Sequence, residues 1–155
     1  MNQKLDLALI ADSFVPFRSS AAVQLYDLSK EFIKQGHSLT VILPSSVIKE
    51  QWKIEKIEGI KIIKLKSPRN KNINFYRRAF SEILMPYYML RNLKKSPIAN
   101  KKWDGLVWYS PSIFHGPLVK SLKDNSKCKG YLIVRDIFPQ WALDVGLIQK
   151  GLIYW

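Results

Sequence analysis

Side chains that hold metals are scarce in this chain. One cysteine, two histidines and no carboxylates paired at ligand spacing leave nothing to bind zinc, so no metal is expected. The lone Cys128, between Lys127 and Lys129, excludes an internal disulfide and reads as an ordinary thiol in a reducing compartment. Long apolar runs are missing too. The longest uncharged stretch, Gly105 to Val119, holds two prolines, two glycines and two serines, and it falls short of the roughly 18 to 20 residues of a membrane span. Met1-Asn2-Gln3-Lys4 leads directly into a strand-like segment containing Asp6, so no secretory signal is expected. Glycine-rich phosphate motifs are absent as well. Asp12 to Ala22 contains neither lysine nor glycine, which excludes the dinucleotide and P-loop fingerprints. No internal repeat or low-complexity tract is present.

Acidic residues are the remaining shortage. Twelve Asp and Glu against 25 Lys and Arg give a net charge of +13, a surface that attracts nucleic acid, phosphorylated small molecules or an anionic membrane leaflet. Charge does not choose among these. A hydrophobic fraction of 47% with 12% aromatics excludes general disorder, and 155 residues suit one domain with a real core.

The most informative segment runs from Ser19 to Leu43. Ser19-Ser20-Ala21-Ala22 opens an amphipathic run over 23–35, Gly36-His37 closes it, and an apolar run over 39–43 follows. With the buried strand expected over Leu5 to Ile10, this spells strand, loop, helix, strand. The helix is expected to bury Ala22, Leu25, Tyr26, Ser29, Phe32 and Ile33, spaced three and four apart. His37, just past the glycine, is expected to meet the helix C-terminus.

Pro44-Ser45-Ser46 ends the second strand, and Val47 to Glu58 reads as a polar, lysine-rich excursion around an isolated Trp52. Gly59 introduces a strand over Ile60 to Lys66, and 67–72 is a loop by composition. Phe75 to Lys95 is helical, with Pro86 marking a kink or the start of a second helix. It carries more apolar side chains than one buried stripe requires. A strand ends at Tyr109, a helix begins between Ser112 and Gly116 and runs to about Lys123, Asp124 to Lys129 is a loop, and Tyr131 to Val134 is a last strand. This alternation predicts an α/β fold: a Rossmann-like, mostly parallel sheet with helices on both faces.

Ligands of such sheets gather at the carboxyl ends of the strands. Three segments qualify: Asp12 to Ser20, Ser110 to His115, and Arg135 to Pro139. Ser19 and Ser20 at a helix start suit a phosphate or a sugar hydroxyl, and either one also serves as a helix cap. His115 has two readings, a general base or hydroxyl ligand and a polar surface residue. Arg135-Asp136 is either an ion pair that fixes its loop or a functional pair. In the second reading Asp136 accepts hydrogen bonds from substrate hydroxyls and Arg135 holds a phosphate.

Together these segments resemble the N-terminal half of a GT-B glycosyltransferase of the family 4 type, near the bacterial enzymes that build O-antigen and capsular polysaccharide. The resemblance rests on Ser19-Ser20-Ala21-Ala22-Val23, Leu25-Tyr26-Asp27-Leu28, Lys30-Glu31-Phe32 and Gly36-His37-Ser38-Leu39-Thr40-Val41-Ile42. It continues through Tyr109-Ser110-Pro111-Ser112 and Val134-Arg135-Asp136-Ile137-Phe138-Pro139, and so covers most of the chain. It implies an acceptor-binding domain over 1–155, with the donor-binding domain as a missing or separate partner. The chain alone is then expected to bind but not to transfer sugar, as a truncated frame or a split subunit whose apolar end, Gly151 to Trp155, wants cover.

The resemblance further implies Asp136 and His115 as catalytic candidates and Ser110, Ser112 and Arg135 as acceptor-binding residues. Ser19 and Ser20 would form the donor-phosphate loop, which here lacks the paired glycines that many members have. A nucleotide-sugar would enter as substrate, with no cofactor. The acceptor implied is a polyprenyl-linked saccharide, and the place implied is the cytoplasmic face of the inner membrane. Arg77, Arg78, Phe80, Leu84, Tyr87, Tyr88 and Arg91 would then face an anionic membrane surface. Two rivals stand beside this reading: a non-catalytic interaction subunit and a basic nucleic-acid-binding α/β domain. Against the second, no RNP, KH, zinc-finger or helix-turn-helix pattern is visible, so no nucleic-acid partner is expected.

Overall fold

A computed structural model describes residues 3–17, 19–69, 74–109 and 113–135, together with Asp144 and Gly146. Its elements follow the chain as β1 (Asp6–Ile10), α1 (Ser20–Lys34), β2 (Ser38–Ser45), β3 (Trp52–Ile57) and β4 (Ile60–Lys66). Then come α2 (Phe75–Leu93), β5 (Gly105–Tyr109), a 3-10 turn (Ile113–His115), α3 (Gly116–Ser126) and β6 (Lys129–Ile133). The six strands form one sheet in the order β3-β4-β2-β1-β5-β6. All neighbours are parallel except β3 and β4, so the expected Rossmann-like α/β class is what the chain adopts.

The middles of the central strands are mostly apolar because both of their faces are dry. Along β1 and just past it, Leu7, Leu9 and Ala11 join one core cluster, while Ala8 and Ile10 join the other. The first cluster lies under α1 through Leu25, with Leu28, Phe32 and Ile33 packed at its margin. The second is covered by Met85, Met89 and Leu93 of α2 and Leu118, Val119 and Leu122 of α3. Each fully buried leucine or isoleucine in these layers contributes about 1.5–3 kcal/mol.

Ser19 caps α1, its Oγ accepting the Ala22 N–H at 3.1 Å. Gly36, at φ +88°, ends the helix in the left-handed region, with its N–H on the Ile33 carbonyl and that of His37 on the Phe32 carbonyl. His37 meets the last turn of α1 as expected, its ring centroid 6.4 Å from that of Phe32, and its Nδ1 also accepts the Leu5 N–H at 3.3 Å, which ties the approach to β1.

Two boundaries differ from the sequence reading, and one alternative that it left open is settled. The polar excursion over 47–58 contains β3, an antiparallel edge strand whose outer residues are half-exposed, which is why it reads as polar. Pro86 lies inside a single helix, α2, and starts no second one. Finally, α3 runs to Ser126 and stops where Lys127 takes φ +54° and donates its N–H to the Lys123 carbonyl, so the loop expected from Asp124 begins later.

Candidate functional site

Strand order fixes where a ligand belongs. From β1 the chain steps one way through α1 to β2, and from β4 it crosses back through α2 to β5 on the other flank of β1. The carboxyl ends of β1 and β5 therefore diverge into opposite crossovers and leave a crevice between them. Asp12, just past β1, and the 3-10 turn that follows β5 line that crevice.

His115 ends this turn and occupies the N-cap position of α3, yet its side chain makes no capping bond. Pro117 in the first turn of α3 has no N–H to satisfy. The imidazole is spent on Asp12 instead: Nε2 stands 2.9 Å from Oδ1. A carboxylate only accepts, so Nε2 carries the proton and Nδ1 is left as the second ring atom to satisfy. His115 is fully buried, and Nδ1 is buried without a hydrogen-bond partner among the described residues. The Asp12 side chain remains 31% exposed. At the switch point it is thus the carboxylate, with the histidine behind it, that faces outward.

A second cluster stands at the start of α1. Arg135, just past β6, donates through Nη1 to Ser20 Oγ at 2.9 Å and to Tyr109 Oη at 3.3 Å. Tyr109 Oη donates in turn to Gln24 Oε1 at 3.4 Å. A guanidinium, two hydroxyls and a helix N-terminus without acidic residues in its first turn make this corner electropositive. The two serines divide the labour: Ser19 caps and Ser20 meets Arg135.

Ser110, Ser112 and Asp136 lie outside the described residues. Among the other predicted residues, Ser20 and Arg135, expected on donor and acceptor sides respectively, come together in one cluster. Asp12 and Tyr109 entered the sequence reading only as members of longer segments, and neither they nor Gln24 were given a role there. Asp12 carries a signal as a site residue only once β1 and β5 are known to be neighbours, and the hydroxyl of Tyr109 only once β6 brings Arg135 to it.

On α2, Arg77, Arg78, Phe80, Tyr87, Tyr88 and Arg91 are exposed and Leu84 is half-buried. Tyr76 and Ile83, also exposed, join Phe80 and Tyr87 in a stripe spaced three and four residues apart. This stripe lies away from the buried Met85, Met89 and Leu93. Glu82, the one carboxylate of α2, bonds to Arg78 at 2.8 Å. Among the described residues no helix is long and apolar enough to cross a membrane.

No protein-family model matches the chain, and no curated protein matches it. Among solved structures it is similar to the glycotransferase of kitacinnamycin, with a TM-score of 0.61 at 15% identity over 94% of this chain and 35% of that one. It is similar also to the catalytic domain of starch synthase IV from Arabidopsis thaliana bound to ADP and acarbose, with a TM-score of 0.56 at 17% identity over 84% of this chain and 33% of that one. A third likeness is to the C-terminal domain of a hydrogenase from Pyrococcus furiosus, with a TM-score of 0.54 at 17% identity over 83% of this chain and 89% of that one. The chain thus spans about a third of the length of the two sugar-handling proteins. What it shares with all three at these identities is a fold, a Rossmann-like α/β domain.

Proposed function

We propose that the chain is the acceptor-side domain of a GT-B glycosyltransferase of the family 4 type. In this reading it serves surface-polysaccharide synthesis, of the O-antigen or capsule kind, on a polyprenyl-linked acceptor at the cytoplasmic face of the inner membrane. The observation that carries this reading is the crevice between β1 and β5, where Asp12 is held by a buried histidine beside the electropositive corner of Arg135, Ser20 and Tyr109. Two of the three described fold neighbours handle sugars.

Asp12 has the exposure and the orientation to accept a hydrogen bond from an acceptor hydroxyl. His115 holds that carboxylate in place, and Asp136, Ser110 and Ser112 complete the acceptor side. The corner at the start of α1 offers Arg135, the Ser20 hydroxyl and helix N–H groups to a phosphate of the nucleotide-sugar. The donor-binding domain comes from a partner or from a longer chain, and no metal or other cofactor takes part. The outward stripe of α2, with its arginines, gives peripheral attachment to an anionic bilayer.

Co-expression with a donor-binding domain tests this. Nucleotide-sugar turnover should appear, and Asp12→Asn should lower it about 100-fold or more, the scale of a lost acid-base group. Turnover unchanged by Asp12→Asn removes the crevice from the reaction, and absence of turnover with any donor half overturns the transferase reading.

A further inference from the structure

β3 closes one side of the sheet. Among the described residues it pairs only with β4, and an open groove of about 550 Å³ runs beside its first half, lined by Glu50, Gln51, Trp52, Lys53 and Ile54. The ladder to β4 fixes which backbone groups are left over. Lys66 donates its N–H to the Gln51 carbonyl at 2.9 Å, and these two stand opposite each other in the register that joins Trp52 to Leu65. Bonded and non-bonded pairs alternate along an antiparallel ladder. Lys53, Glu55 and Ile57 therefore spend their N–H and C=O groups on β4, and those of Trp52, Ile54 and Lys56 point out to the open edge.

Side chains alternate as well. Trp52 and Ile54 pack on the cluster under α2, so Lys53 and Glu55 stand on the opposite face of the sheet. There Glu55 accepts from Lys64 at 2.6 Å and from Lys53 at 3.1 Å, and a carboxylate has room for a further donor. Lysines on an edge ordinarily deter pairing, and a net charge of +13 makes two copies repel at long range.

One register of this strand against itself escapes the local part of that repulsion. A twofold axis at Lys53 sets that lysine against its own copy, and an axis at Glu55 does the same with the carboxylate. With the axis at Ile54, Trp52 meets Lys56, Ile54 meets Ile54, and all the outward N–H and C=O groups of both strands are bonded. The same register sets Lys53 opposite Glu55 twice, in the non-bonded pairs where side chains stand closest. It also lays Lys56 beside the indole of Trp52.

We propose that β3 is a self-recognition edge, through which two copies of this chain join antiparallel about a twofold axis at Ile54 into one continuous sheet. Because the two β3 strands run antiparallel, the crevices between β1 and β5 open on opposite rims of the joined sheet. β4 and β2 separate each crevice from the contact. The inference does not depend on sugar transfer.

Sedimentation equilibrium of the full chain over a concentration series tests this. A strand-edge contact belongs to the small class of interfaces, below about 1,200 Å² in total, so the wild type should pair with a midpoint on the order of tens of micromolar. Lys53→Glu opposes two carboxylates at both crossings, and Glu55→Lys opposes two ammoniums. Each variant alone should therefore pair about tenfold more weakly or worse. Mixed in equal amounts, the two variants should form a heterodimer about as tight as the wild type, because both crossings are again opposite in charge. Amide exchange reads the backbone: the N–H groups of Trp52, Ile54 and Lys56 should slow as concentration rises, while those of Lys53 and Glu55, bonded to β4, stay slow throughout. A wild type that remains monomeric up to about 1 mM overturns the proposal. So do single variants that pair as the wild type does, a mixture that does not recover, and a dimer that leaves the three outward amides unprotected. If Glu55→Lys does not fold, Lys53→Glu and the amide readout decide alone.

Discussion

Replacing Asp12 by alanine probes the pairing on which the crevice depends. His115 is fully buried, its Nε2 bonds to Asp12 at 2.9 Å, and its Nδ1 has no partner among the described residues. Losing the carboxylate leaves both ring nitrogens unpaired in a dry place. A hydrogen bond to a charged group contributes about 1.5–3 kcal/mol, and a buried donor left unmade costs about 1–3 kcal/mol. These figures describe the same bond and do not add. With Asp12 31% exposed, the central expectation is about 2 kcal/mol. His115→Phe behaves differently, because it removes both nitrogens at similar volume and leaves a carboxylate that water can reach, so about 1 kcal/mol or less is expected. Urea unfolding reads the contrast. A loss of 2 kcal/mol moves the midpoint by about 1 M at a slope near 2 kcal/mol/M, with the slope itself unchanged. The double variant should lose less than the sum of the two singles, since the same contact is removed twice. The reasoning is refuted if Asp12→Ala proves less destabilising than His115→Phe, or if the two losses add.

Two further tests concern the sheet itself. Hydrogen bonds from Lys64 and then Lys53 hold the Glu55 carboxyl below its ordinary value of 4.5, against the opposing effect of burial. A depressed folded value stabilises above the unfolded one and fades as pH falls through the folded one. Glu55→Gln should therefore cost about 0.5–1 kcal/mol at neutral pH and nothing in acid, as denaturation at several pH values would read. A gap that widens toward acid contradicts the assignment. At Gly130 on β6 an added Cβ would come within 2.7 Å of Trp108 Cζ3 and 3.2 Å of Lys123 Cδ. Overpacking of about 1–3 kcal/mol then outweighs the roughly 0.4–1 kcal/mol that a glycine-to-alanine change gains in chain entropy. Gly130→Ala should lower the thermal midpoint, and an unchanged or raised one would show that the indole gives way freely.

The layered fold was legible because its signals are local. Doubly buried strands read as continuous apolar runs, Ser19 sits at a helix start, and Gly36 occupies a position that needs positive φ. β3 was hidden because its alternation of Trp52 and Ile54 with Lys53 and Glu55 breaks at Lys56, on an edge where only one neighbour, β4, pairs with it. The exposed stripe of α2 was half legible: Phe80 and Tyr87 were expected outside, while Tyr76 and Ile83 needed the direction of the buried face to be known. The crevice was the least legible feature. Asp12 and His115 are 103 residues apart, and Ser20 and Arg135 are 115 apart. Nothing in a linear pattern says that β5 will lie against β1 on the side away from β2.

Strand order also governs when the crevice comes into being. The ribosome delivers β1 through β4 and α1 as one side of the sheet before it has made β5, so a nascent chain of that length can lay four strands together with Asp12 and Ser20 already in position. Both of their partners arrive from the late-made flank. Until β5 and β6 zip onto the exposed edge of β1, the carboxylate and the serine face water, and the chain holds the outline of its pocket without the chemistry.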